Sequence, residues 1–106
     1  SISGLYQLRI EIDKIKPKYD RLVEGGKYEE ASDLLSENAG LLGFQNSVSS
    51  VLDEVQKINE YKDYINNAPV SEFSREEKSR MIDEANTRKN YLEKNSQYLF
   101  REASRI

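Results

Sequence analysis

Leu5, Leu8, Ile12, Ile15, Tyr19 and Leu22 follow one another at alternating steps of three and four residues without a miss. From Leu41 a second run keeps the same rhythm through Phe44, Val48, Val51, Val55, Ile58 and Ile65, with Lys62 in its one polar slot. This is the helical period, not the alternation of a strand. Sustained over three heptads it makes a narrow apolar seam, which only another helix covers well. The chain therefore reads as all-α. With 106 residues, 37 % apolar and 33 % charged, it is one small domain with a thin core. The expectation is an extended helical hairpin or bundle that needs partners, and an isolated chain that self-associates or stays loosely packed.

The punctuation divides the chain into about four helices. The first, over 1–24, carries Pro17, whose ring removes a backbone donor and clashes with the Asp13 carbonyl, so a kink is expected at 17. Gly25-Gly26 ends it, since glycine adopts the left-handed turn past a helix C-terminus at least cost. A short amphipathic helix over 28–37 places Tyr28, Ala31, Leu34 and Leu35 on one face, and a long one spans 41–66. Asn66-Asn67-Ala68-Pro69 breaks the chain, because the residue before proline disfavours the helical region. Ser74-Arg75-Glu76-Glu77 reads as a capping box opening a last, polar helix over 74–103. Arg88, Asn95 and Ser96 interrupt its thin stripe of Met81, Ile82, Ala85, Leu92, Leu99 and Ala103.

Composition removes much chemistry. There is no His and no Cys, so Cys/His zinc sites, disulfides and any mechanism needing an imidazole or thiol are excluded. The carboxylates Glu29, Glu30, Asp33 and Glu37 sit together, but on a solvated helix such groups simply ionise. Gly25-Gly26-Lys27 lacks the rest of a phosphate loop and reads as a helix cap. The stretch 26–31 resembles a fragment of a tetratricopeptide helix, but a single repeat needs neighbours and none follows. No catalytic, cofactor or metal residue is nominated, and the chain is expected not to be an enzyme. Sixteen Lys+Arg against 19 Asp+Glu give a net charge of -3, a poor match to a nucleic-acid backbone. The longest nearly apolar run, 39–44, falls far short of the roughly 20 residues that a transmembrane span needs.

The residues nominated for partner contact are the seams themselves: Leu5, Leu8, Ile12, Ile15, Tyr19 and Leu22, then Phe44, Val48, Val51, Val55, Ile58 and Ile65. Tyr6, Tyr91 and Tyr98 are further candidates, as tyrosine is enriched at interfaces.

One family resemblance covers roughly 23–103. A short helix of the form G-x-x-E-E-A-x-x-L-L-x-E-N, read here over 26–38, precedes a long apolar helix over 41–66. Ser74-Arg75-Glu76-Glu77-Lys78-Ser79-Arg80-Met81-Ile82-Asp83-Glu84 then leads the last helix. This order resembles a helical segment near the C-termini of large internal virion proteins of tailed bacteriophages and related prophage polyproteins. The resemblance implies a piece of a larger protein, stored inside the virion and ejected with the genome toward the host cell envelope. It implies other virion proteins or copies of itself as partners, and packing, docking or assembly as the role. Some members of the broader group carry enzymatic domains elsewhere, and nothing in these residues matches those domains. The alternative is a helical adaptor or coiled-coil interaction module of a cellular, cytoplasmic protein.

Overall fold

The computed structural model describes residues 2–104. The chain is all-α, and no strand occurs among the described residues. Six helical segments follow in order: α1 (Ile2–Asp13), α2 (Ile15–Glu24), α3 (Tyr28–Glu37), α4 (Ala39–Leu42), α5 (Gln45–Asn67) and α6 (Arg75–Ser104). The radius of gyration is 19.3 Å and the extents are 63 × 28 × 15 Å. A compact domain of this length would have a radius near 13 Å, so the helices form an elongated, flat body.

α5 and α6 are the long elements and pack as a hairpin. At 23 and 30 residues they run about 34 and 45 Å. Their connection is set by Pro69. Ala68 takes the extended conformation (φ -66°, ψ 143°) that a following proline imposes. The Ser74 Oγ then accepts from the Glu77 N–H at 3.1 Å, capping α6 as the Ser-x-x-Glu pattern foresees. The turn is tied down by polar contacts. Tyr64 donates its hydroxyl proton to Glu72 Oε1 at 2.7 Å, and Lys78 Nζ donates to the Ala68 carbonyl. The Tyr64 and Phe73 rings meet edge-on, with centroids 6.4 Å apart. Midway along, the Arg88 guanidinium places Nε at 2.7 Å and Nη2 at 2.6 Å from Glu54 Oε1. Both groups are exposed enough that such a pair contributes about 0–1 kcal/mol.

α1 lies on the other end of this hairpin and touches both long helices. Leu5 packs with Val48 and Leu52, all three essentially solvent-free, and Ile2, Leu8, Phe44, Val51 and Leu99 close over them. Ile12 lies beside Leu42 and Gln45, so α1 runs antiparallel to α5 and parallel to α6. The approach to α6 is close: a Cβ on Gly4 would stand 3.0 Å from Cε2 of Phe100. Ser96, which looks like an interruption of the α6 stripe, is a core residue. It is fully buried, and its hydroxyl donates to the Glu93 carbonyl at 2.7 Å, so the burial leaves no polar group unpaired.

Three boundaries differ from the sequence expectation. The first helix breaks at Lys14, between α1 and α2, and not at Pro17. Pro17 sits in the first turn of α2, where its missing N–H matters least, and the carbonyl it fails to satisfy belongs to Asp13. Lys14 itself stays helical (φ -76°, ψ -20°), so the chain passes from α1 into α2 without reversing. The expected helix over 41–66 is interrupted at Gly43–Phe44, leaving α4 as a single turn before α5. The last helix begins at Arg75, with Ser74 as its cap.

Leu52 is 1 % exposed, and Leu52→Ala is expected to cost about 2–5 kcal/mol of stability, the usual range for emptying a buried leucine site. Leu35→Ala, at a position 39 % exposed, is expected to cost well under about 1 kcal/mol. Equal losses in denaturant unfolding would put the core elsewhere.

The hydrogen bond to Glu72, followed by its negative charge and slight burial, raises the Tyr64 pKa above the ordinary tyrosine value. A raised folded-state pKa means that the contact stabilises the fold fully below about pH 10, and that this is lost as pH rises through the folded pKa. In an ultraviolet titration, Glu72→Gln is expected to lower the pKa of Tyr64 toward the ordinary tyrosine value. A titration that Glu72→Gln leaves unchanged would refute the contact.

Candidate partner-docking surface

α2 and α3 are joined by a turn at 25–27 whose hydrogen bonds fix it. Lys27 N–H reaches the Leu22 carbonyl at 2.8 Å and Gly26 N–H the Val23 carbonyl at 3.0 Å. This crossed pair is the Schellman motif, and it requires the left-handed conformation that Gly26 supplies with φ 73°. So short a link forces α2 and α3 side by side, and they pack against one another. A third helix does not complete them as α1 completes α5 and α6. Ile15 and Ala31 are the only residues of these two helices that are buried. Each helix has ten residues, short of the length at which a helix holds alone in water.

Leu34 and Leu35 flank Ala31 and look out on opposite faces of the hairpin. On the Leu35 face a groove of about 360 Å³ is walled by Ile12, Ile15, Tyr19, Leu35 and Leu42, with Asp13, Lys16 and Gln45 at its edge. Tyr28, 68 % exposed, stands at the start of α3. On the Leu34 face two adjoining hollows of about 260 and 290 Å³ share Lys18 and Leu34.

The structure places the nominated seam residues unevenly. Leu5, Ile12, Ile15, Val48, Val55 and Ile65 are buried within the chain's own fold. Leu8, Phe44, Val51 and Ile58 are half-buried, and the first three of these pack on the Leu5 cluster. The α1 and α5 seams thus cover each other, and Ile12, Ile15, Tyr19 and Leu22 are the nominated residues that line the open grooves, of which Tyr19 and Leu22 are only half-buried. Leu34, Leu35, Leu41 and Leu42 line those grooves without having been nominated. The signal for them was the three-residue turn, which makes α2 and α3 neighbours and leaves their flanks bare. Tyr91 and Tyr98 are exposed, and Tyr6 is partly so. Arg9 lies 5.3 Å from the Tyr6 ring centroid and Arg88 5.1 Å from that of Tyr91, within cation–π range.

Among the described residues no helix is long and apolar enough to cross a membrane, and no group of three or more acidic side chains is placed to hold a metal ion. Comparison of the chain with protein families, with curated proteins and with solved structures gives no match.

Proposed function

We propose that this chain is a helical assembly element that docks other protein chains and does no chemistry of its own. The observation that carries this reading is the α2–α3 hairpin, which projects from the three-helix end with two buried residues, an apolar groove on its Leu35 face and hollows edged by charges on its Leu34 face. Two ten-residue helices packed on one another gain little from burial, and a docked helix would supply the missing apolar contact. The sequence resemblance supplies the setting: a segment of a bacteriophage internal virion protein, held in the particle and ejected with the genome, with other virion proteins as partners.

The setting is tested by mass spectrometry of purified particles of the encoding phage. Peptides of this chain are expected in intact particles and depleted from particles that have ejected their genome. Their absence from intact particles would remove the virion reading.

Contact through protein surfaces, and not through nucleic-acid phosphates, is the second part of the reading. Basic residues along α6 alternate with acids, as in Arg75-Glu76-Glu77-Lys78 and Arg101-Glu102, so the local field largely cancels. Tight phosphate binding recruits several cations on one face and weakens steeply with salt. Duplex and single-stranded DNA are expected to bind no tighter than about 10⁻⁴ M near about 150 mM salt. A titration at two ionic strengths that gave micromolar affinity with a steep salt slope would overturn this.

A further inference from the structure

The Leu34 face of the α2–α3 hairpin carries opposite charges on its two sides. The adjoining hollows have an apolar floor that includes Leu22, Leu34 and Leu41. Lys14 and Lys18 edge it on the α2 side, where Glu11 is the one acid, and Glu30, Asp33 and Glu37 edge it on the α3 side. Within the chain these charges are almost unused. Lys14 meets Glu11 at 3.4 Å, and among the described residues Lys18 and the three carboxylates have no opposite charge within 4 Å.

We infer that this face pairs with the same face of a second copy of the chain, the two hairpins closing into an antiparallel four-helix bundle. This pairing rests on the hairpin being a docking surface, and it names the partner. A helix of uniform charge would be attracted to one edge of the floor and repelled by the other. A second copy presents both signs in the order required. A half-turn about an axis parallel to the hairpin lays α2 of each copy along α3 of the other and keeps every residue at its own height. Because α2 and α3 run in opposite directions, Lys18 then faces Asp33 of the second copy, and Lys14 faces Glu37. Leu22, Leu34 and Leu41 meet their counterparts between these charged edges, in the arrangement of apolar centre and polar border that helix bundles use.

The contact is small. Two helices about 15 Å long and about 10 Å wide offer each copy a footprint of roughly 300 Å², below the size of stable interfaces. The dimer is therefore expected to be reversible and weak, with a dissociation constant of about 10⁻⁴ M, and to weaken as salt screens the exposed charges.

The test is sedimentation equilibrium of the full chain up to about 1 mM, a range that brackets weak interfaces, at low and high ionic strength. The wild-type chain is expected to form dimers that dissociate more readily at high salt. The variants Lys14→Glu/Lys18→Glu and Asp33→Lys/Glu37→Lys each oppose like charges across the axis, and each is expected to lose affinity at least tenfold. An equimolar mixture of the two variants pairs opposite charges again and is expected to recover wild-type affinity. Circular dichroism checks that both variants keep their helices. If either pair unfolds the chain, Lys18→Glu and Asp33→Lys alone serve the same cross. A monomer at every concentration, a dimer indifferent to both variants, or a mixture that fails to recover overturns the pairing. These results leave the virion reading standing, since that depends on the presence of the chain in particles.

Discussion

The contact of Leu5 with Val48 and Leu52 is the one on which the rest of the molecule depends. An α5–α6 hairpin alone would leave one side of its apolar stripe in water. α1 covers that side, and the three buried side chains come from two seams that run in opposite directions. Only at this end of the molecule do three helices meet, and there Val48, Leu52, Val55 and Ser96 reach near-zero exposure. Away from it the body is two helices wide in both directions. The price of that economy is an extended surface on which many apolar side chains remain half-covered.

Polar contacts reinforce one end of the body and not the other. At the far end of the α5–α6 hairpin, Tyr64–Glu72 and Lys78–Ala68 hold the turn beside the buried Ile65 and Ala68. At the α2–α3 end, the turn closes with backbone hydrogen bonds, and among the described residues the charges that edge the floor make no ion pair beyond Lys14 with Glu11. The two ends of this elongated body are thus chemically unlike. One is latched on itself, and the other presents an open floor edged by opposite charges.

Much of this architecture was legible in the sequence because helical periodicity maps directly onto burial. The three-four spacing marked Leu5, Ile12, Ile15, Val48, Val55 and Ile65 as contact positions, and all six are buried. It did not say which helix covers which, since a seam reads the same against a partner chain as against the next helix of its own chain. The helix breaks at Lys14 and not at Pro17 because a proline disturbs the carbonyl one turn upstream and not its own position. The interruption at Gly43–Phe44 was hidden because Phe44 keeps the seam spacing whether or not the helix is continuous. Ser96 was misread because composition marks a hydroxyl as polar without revealing the Glu93 carbonyl that accepts from it. The turn at 25–27 marks α2 and α3 as neighbours, but the grooves beside Leu34 and Leu41 also depend on no third helix covering them, which no local pattern encodes.

The fit of Phe100 over Gly4 has a mechanical consequence. The first turns of α1 lie beside the last turns of α6, and the two helices point the same way. Force drawing those two ends apart would slide one helix along the other instead of peeling them away. A sliding contact loads all its side chains at once, whereas a peeling one breaks them in turn. A polypeptide entering through α1 and leaving through α6 would therefore load the whole α1–α6 contact together, and the grooved α2–α3 arm would stand aside from the line of tension.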